Sequence, residues 1–193
     1  MLISLLQKQT PLIDVRSPIE YKKGALPNSI NLPILLDDER EQVGKAYKKL
    51  GPGPATDLGF KLVSRDIKEK RVNNWLNFIS NNPSAQIYCA RGGQRSKIAQ
   101  TWIAERGVNI SKIDGGFKSL RNECLNIIDE ACIDEKKWIV IAGMTGTNKT
   151  GIITLLNNGI DLEGLANHRG SAFGGFETPQ PTPIDFENNL ACD

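Results

Sequence analysis

Residues 85–96, Ala85-Gln86-Ile87-Tyr88-Cys89-Ala90-Arg91-Gly92-Gly93-Gln94-Arg95-Ser96, decide how this chain is read. A short apolar run ends on a cysteine, two glycines follow, and Lys97 to Arg106 then runs to a stop at Gly107. That order predicts strand, tight loop and helix, with Ile98, Ala99, Trp102 and Ile103 on one buried face. A cysteine at a strand's end, inside a glycine-rich loop, sits within a ring of backbone N–H groups. Those amides and the helix N-terminus favour an anion, including the thiolate itself. Arg91 and Arg95 add fixed positive charge, and Gly92, Gly93, Gln94 and Ser96 complete the candidate anion site. Such surroundings commonly bring a cysteine pKa to roughly 3.5–7.5, which makes the thiolate the resting nucleophile. An isolated cysteine at a strand end is ordinarily just a buried residue. The two glycines, two arginines and Ser96 turn the balance toward function. Cys124, Cys132 and Cys192 have no comparable surroundings and read as structural, with Cys124 a secondary candidate for a second thiol.

Elements of the same kind lie on either side. Leu12–Arg16 reads as a short strand closed by Ser17-Pro18, where proline discourages helix continuation. Gly24–Ser29 is turn chemistry before a second strand at Ile30-Asn31-Leu32. Two helical segments are predicted near Asp38–Leu50 and Ala55–Ser80, separated by Gly51-Pro52-Gly53-Pro54. Val108–Ile113 reads as a strand ending at Asp114-Gly115-Gly116, and Phe117–Ile128 as a helix. Strands alternating with helices predict an α/β fold with a mainly parallel sheet flanked by helices, closing near residue 130.

Trp138-Ile139-Val140-Ile141-Ala142 opens a further strand, directly followed by Gly143-Met144-Thr145-Gly146-Thr147-Asn148-Lys149-Thr150. This is one residue from the G-x-x-x-x-G-K-[ST] phosphate-binding P-loop, with Asn148 in place of the second glycine. Asn visits left-handed backbone more readily than other non-glycine residues, so the turn can survive. Gly143, Gly146, Lys149 and Thr150 are the candidate diphosphate-binding residues, and Thr150 is placed to ligate Mg²⁺ if that ion binds. A helix through Ile152, Ile153, Leu155 and Leu156 is expected to stop at Asn157-Asn158-Gly159, and Gly170–Pro183 reads as loop or disorder.

Composition narrows the chemistry. Across 193 residues, 24 Lys+Arg against 22 Asp+Glu leave a net charge of +2, which excludes a bulk polycation but not a local basic groove. The four cysteines show no C-x-x-C spacing and a single histidine cannot build a His-rich metal site, so no metal centre is expected. No apolar run reaches the roughly 20 residues that span a bilayer. MLISLLQKQTPLIDVR lacks a charged n-region and a cleavage site, so no signal peptide, no membrane partner and a cytoplasmic location are expected. His168 and Arg169 are candidates for contact with phosphate or a nucleic-acid backbone, although a lone histidine is as readily a surface or packing residue. Lys61, Arg65, Lys68, Lys70 and Arg71 form a basic run that reads first as a solvated face, and secondarily as a nucleic-acid-backbone contact.

Ile13-Asp14-Val15-Arg16, Gly24-Ala25-Leu26-Pro27 leading to Asn31-Leu32-Pro33, the cysteine loop and Asp114-Gly115-Gly116 together resemble a rhodanese domain. The full loop Cys89–Ser96 resembles more specifically that of tRNA 2-selenouridine synthases. Asp37–Arg40, Val43-Gly44, Tyr47-Lys48, Asp161-Leu162-Glu163 and His168-Arg169-Gly170-Ser171 match the same family in its order. The resemblance implies a rhodanese-like domain at 1–130 and the N-terminal part of a P-loop domain at 138–193. It implies replacement of the sulfur of wobble 2-thiouridine in tRNA by selenium from selenophosphate, through an S-geranylated intermediate made from geranyl diphosphate. Cys89 would be the residue required for selenium transfer. The partners implied are the thiolated tRNA and a selenophosphate supplier, with no tightly bound cofactor.

Six positions separate Cys89 from Arg95, a C-x5-R loop wider by one residue than that of many thiosulfate-using rhodaneses and suited to a larger anion. C-x5-R is also the form of cysteine phosphatases, but Tyr88 rather than histidine precedes this cysteine. A generic rhodanese sulfurtransferase and a non-catalytic remnant are the remaining alternatives. Fewer than 60 residues follow Trp138, too few to close a P-loop sheet. Residues beyond 138 are therefore expected to pack poorly.

Overall fold

A computed structural model describes residues 2–144, 146–170 and 173–193. Thr145 of the glycine-rich loop and Ser171 of the His168–Ser171 motif lie outside the described residues. Four short strands, β1 (Leu12–Asp14), β2 (Ser29–Asn31), β3 (Gln86–Tyr88) and β4 (Ser111–Lys112), form an all-parallel sheet in the order β2-β1-β3-β4. β1 is central, with Ile13 opposite Ile30 on one side and Ile87 on the other. The α/β class expected from alternating strands and helices is the one observed.

The sheet is covered on both faces, and strand alternation sorts its residues between two cores. Ile13, Val15, Ile87 and Cys89 point toward α5 (Arg65–Asn81) and α6 (Gln94–Ala104), whose Val72, Trp75, Ile79, Ala99, Trp102 and Ile103 fill that core. Leu12 and Tyr88 point the other way, toward α1 (Leu2–Gln7) and α7 (Gly116–Ile133), where Leu5, Leu6, Leu120 and Cys124 receive them. Cys89 thus shares the register of the α5–α6 core and leads directly into α6.

Several boundaries differ from the sequence-based expectation. Pro18 does not prevent a helix but starts one, α2 (Pro18–Lys22), because a first-turn proline lacks only an N–H that has no intrahelical partner. The long segment expected at 55–80 is two helices, α4 (Pro52–Leu62) and α5, behind α3 (Asp37–Leu50). Buried Val63 and extended Ser64 make the corner between them. Arg71 of the basic run is not a solvated residue: its guanidinium bonds both carboxylate oxygens of Glu39 at 2.7 and 2.8 Å, and donates to the Ile34 carbonyl. Lys68 pairs with Glu105 at 2.9 Å and lies 4.8 Å from the Trp102 ring centre.

Residues 138–142 form no strand. No described strand pairs with them, and an unpaired strand leaves its backbone groups to water. Trp138 is 60% and Val140 87% exposed, as expected of poorly packed residues. α8 (Lys149–Ile153) and α9 (Leu162–Leu165) are single turns.

The last helix, α10 (Pro183–Leu190), behaves differently. It packs on α7 and on the Gly24-Ala25 turn of the rhodanese-like unit, with Ile184 against Gly24. Asp185 accepts from the Ala25 amide at 2.7 Å, while fully buried Asn188 donates to the Ala25 carbonyl at 2.7 Å and accepts from Arg121 at 2.9 Å. Replacing Asn188 by Ala leaves that carbonyl and guanidinium without their partner, a loss of about 1–3 kcal/mol. Urea denaturation should show the lower midpoint, and an unchanged midpoint would contradict the docking of α10.

Candidate active site

The cysteine loop is built against a second tight turn. Gly115 and Gly116, at the end of β4, both take positive φ, +74° and +57°. A Cβ on Gly116 would collide with the Cys89 carbonyl oxygen, so only glycine permits this approach. Gly92 is constrained in turn, because its Cβ would stand 2.7 Å from the Gly115 nitrogen and 2.8 Å from the Ile113 carbonyl oxygen. Across this seam the Phe117 amide donates to the Cys89 carbonyl at 2.8 Å and Lys118 to that of Ala90 at 3.0 Å. Lys112 Nζ donates to the Gly92 carbonyl at 2.9 Å. The loop's carbonyls are therefore tied from behind, by donors of β4 and α7.

On the other side lies the sulfur. Cys89 is 3% exposed, and its Sγ shares a hydrogen bond with Ser96 Oγ at 3.2 Å. Ser96 Oγ also reaches the Gly93 carbonyl at 3.1 Å. In the thiol form the hydroxyl can donate to that carbonyl while accepting S–H, and in the thiolate form it turns its proton to sulfur. Burial pushes the Cys89 pKa up. The Ser96 hydroxyl, the Ser96 and Arg91 amides and the Arg95 charge outweigh it, and the net shift is downward. The arrangement stabilises a sulfur nucleophile beside donors that can also accept an oxyanion.

Arg95 is held by a residue that sequence reasoning missed. Glu20, in the first turn of α2, accepts from Arg95 Nη1 at 2.6 Å and Nη2 at 3.1 Å, and from the Ser17 amide at 3.1 Å. Arg40 Nε approaches the same carboxylate at 3.0 Å. One carboxylate thus fixes two guanidinium groups beside the loop. Its sequence signal was local: Ser17-Pro18-Ile19-Glu20 has the Ser-x-x-Glu form of a helix start. Gln94 is anchored through Thr56 Oγ1 at 2.8 Å, and Arg91 is exposed. Cys89, Gly92, Gly93, Gln94, Arg95 and Ser96 are therefore brought together as one loop.

Behind them, Asp14 and Arg16 form a fully buried ion pair, with Nη2 to Oδ2 at 2.6 Å and Nε to Oδ2 at 2.8 Å. Arg16 also donates to the Gly24 carbonyl at 2.9 Å and lies 3.7 Å from the Phe117 ring centre. This pair links the β1 end, the Gly24 turn and the start of α7.

The other candidates lie elsewhere, and among the described residues no hydrogen bond or ion pair joins them to the cysteine loop. Asn148 adopts the left-handed conformation expected of it, at φ +59°, just before α8. Lys149 Nζ folds back onto the Gly143 and Met144 carbonyls at 2.8 and 3.0 Å, while Gly146 has open space beside it and Thr150 is exposed. His168 pairs with Gly175 in an isolated bridge, and its Nδ1 accepts from the Gly170 amide at 3.0 Å. Arg169 lies 4.5 Å from the Phe176 ring centre. The described side-chain contacts of both are thus local. No described helix is long and apolar enough to cross a membrane.

A parallel sheet carrying a buried cysteine in a glycine-rich loop is the arrangement of a rhodanese-like domain. The family model of that description matches residues 2–123, and the chain belongs to this family. Residues 136–193 match the model described as the tRNA 2-selenouridine synthase AAA domain, so the resemblance to that family holds across both parts. The chain is 52% identical over 190 residues to a tRNA 2-selenouridine synthase of a Sulfurovum species, covering 98% of this chain and 52% of the relative. It is 48% identical to that of Psychromonas ingrahamii, covering 98% and 51%. The chain thus spans about half the length of these curated relatives. Among solved structures, the N-terminal domain of a Clostridium difficile 630 protein is 34% identical with a TM-score of 0.54, covering 59% of this chain and 88% of that one.

The Glu20 carboxylate makes the site sensitive to acid. Burial pushes its pKa up, but the hydrogen bond and charge of Arg95, the Ser17 amide and Arg40 prevail and draw it from 4.5 to about 2. A depressed carboxylate contributes stability that is complete above its unfolded pKa and is lost as pH falls through the folded one. The stability difference between wild type and Glu20→Gln should therefore shrink between pH 4.5 and about 2. Parallel profiles in that window, measured by chemical denaturation, would contradict the Glu20–Arg95 pair.

Proposed function

We propose that this chain carries the selenium-transfer part of a tRNA 2-selenouridine synthase, exchanging the 2-sulfur of wobble 2-thiouridine in tRNA for selenium from selenophosphate. The observation that carries the reading is the Cys89 loop: a thiol with lowered pKa, ringed by amides and Arg95, in a chain related to these synthases over nearly its whole length. The loop's amides and Arg95 hold the selenophosphate anion, and Cys89 is the thiol on which selenium transfer depends. At the base, sulfur is first alkylated by geranyl diphosphate. The selenium of selenophosphate then forms the C2–Se bond as the C2–S bond breaks and geranylthiolate departs, and water cleaves the Se–P bond to release phosphate. S-alkylation turns a poor leaving group into a better one.

Gly143, Gly146, Lys149 and Thr150 are proposed to hold the diphosphate. The left-handed Asn148 keeps the turn in glycine's absence, and Lys149 need only leave two carbonyls to meet phosphate oxygens. Mg²⁺, if used, would neutralise diphosphate charge beside Thr150. A selenophosphate supplier and the thiolated tRNA are the partners of this scheme, and its setting would be the cytoplasm.

A simpler sulfurtransferase is the second reading, favoured by one fact: every residue that shapes the Cys89 loop lies between Asp14 and Lys118, within the rhodanese-like match. In that case the thiolate attacks the outer sulfur of thiosulfate, sulfite leaves, and cyanide takes the sulfur from the persulfide.

The deciding experiment supplies 2-thiouridine tRNA, geranyl diphosphate and selenophosphate to wild type and Cys89→Ser, and reads selenouridine by nucleoside mass spectrometry. Product from wild type and a loss of at least about a hundredfold in the variant is the expected result. Thiosulfate-to-cyanide turnover without selenated product would instead favour the simple sulfurtransferase.

A further inference from the structure

Of the three cysteines the proposed reaction leaves unused, Cys124 and Cys192 stand together on the sheet face opposite that of Cys89. Cys124 of α7 is completely buried among Leu12, Tyr88 and Leu120. Cys192 follows α10, is half-buried, and packs on the same cluster. Both side chains pack into one apolar cluster where α7 meets α10. The surrounding bonds hold this approach in place. Arg121, one turn before Cys124, pairs with Glu187 and donates to Asn188, and the Cys192 amide donates to the Asn189 carbonyl at 2.9 Å. Two elements far apart in sequence thus each bring a cysteine to one cluster.

We propose that Cys124 and Cys192 form a reversible disulfide that staples α10 to α7. A disulfide needs its two Cα atoms within about 4.4–6.8 Å, and two cysteines packed in one cluster at a helix–helix interface are placed for it. The two are unequal in a way that orders the steps. The neighbouring Cys124 lowers the Cys192 pKa, whereas Cys192 and burial together raise that of Cys124. Cys192, accessible and more readily ionised, is the attacking thiolate.

With a low-molecular-weight disulfide as oxidant, the Cys192 thiolate attacks one sulfur and the first small thiolate leaves, giving a mixed disulfide. Cys124 then gives up its proton and attacks the Cys192 sulfur, and the second small thiolate leaves. Two protein thiols lose two electrons, the oxidant becomes two thiols, and the two protons released by the protein pass to them. In a reducing compartment such a bond is transient, which suits a redox-responsive device better than a permanent cross-link.

The staple has a structural consequence. α10 grips the Gly24-Ala25 turn through Asp185 and Asn188, and the Gly24 carbonyl receives Arg16. Oxidation would hold α10 on that turn, and it would enclose all of residues 138–170 in a covalent loop anchored at both ends.

The test uses the 193-residue chain carrying Cys89→Ser, which removes the active-loop thiol from exchange. It is incubated with glutathione disulfide, quenched in acid, alkylated and mapped by mass spectrometry. The expected product has lost two hydrogen masses, yields a linked Cys124–Cys192 peptide, and reverts with dithiothreitol. Adding Cys192→Ser should abolish that species and leave Cys124 alkylated only after denaturation. A glutathione adduct persisting on Cys192 beside a free Cys124, a link from Cys192 to Cys132, or full alkylation of both thiols would overturn the proposal.

Discussion

A cysteine loop can gather negative charge only if its carbonyl oxygens are turned away from the sulfur and bonded elsewhere. Here the Gly115-Gly116 corner imposes that condition. Phe117, Lys118 and Lys112 bond the carbonyls of Cys89, Ala90 and Gly92, and the close approach works because neither Gly92 nor Gly116 has a Cβ. Without this backing the carbonyls would compete with the amides for the space beside sulfur. The parallel sheet, which sets the ends of β3 and β4 side by side, brings the two turns together.

Charge around the loop is organised by one carboxylate. Glu20 takes up part of the positive charge of Arg95 and Arg40, yet it also fixes where both guanidinium groups stand. A positioned cation costs less reorganisation when an anion arrives than a mobile one. The buried Asp14–Arg16 pair extends the same frame to the Gly24 turn, which α10 covers from outside. The site and the C-terminal helix are thus joined through contiguous hydrogen bonds.

Much of this was legible in residue order. The apolar runs Leu12–Arg16 and Ala85–Cys89 mark two strands of the sheet, and the glycines at 92, 115 and 116 mark the turns. What was not legible depends on tertiary partners. Glu20 belongs to the site only because α2 and α6 converge, and no spacing connects it with Arg95. Arg71 reads as one more solvated cation until Glu39 meets it. The short α10 has little intrinsic stability and owes its place to buried Asn188. The run at 138–142 has strand composition, but strand formation needs a neighbour, and none of the described strands provides one. Its separation from α10 shows that these last residues are unequal: Trp138 and Val140 are exposed while Asn188 is wholly buried.

The account rests on Ser96, the loop amides and Arg95 favouring the thiolate form of Cys89 over its ordinary balance. The most direct measurement is the pH titration of thiolate absorbance near 240 nm, taken as the difference between wild type and Cys89→Ser so that the other three cysteines cancel. The loop predicts an apparent pKa below the ordinary cysteine value of roughly 8.5. A value at or above it would mean that burial prevails over the amides and arginine, and would contradict the assignment of this loop as an anion site with an activated nucleophile.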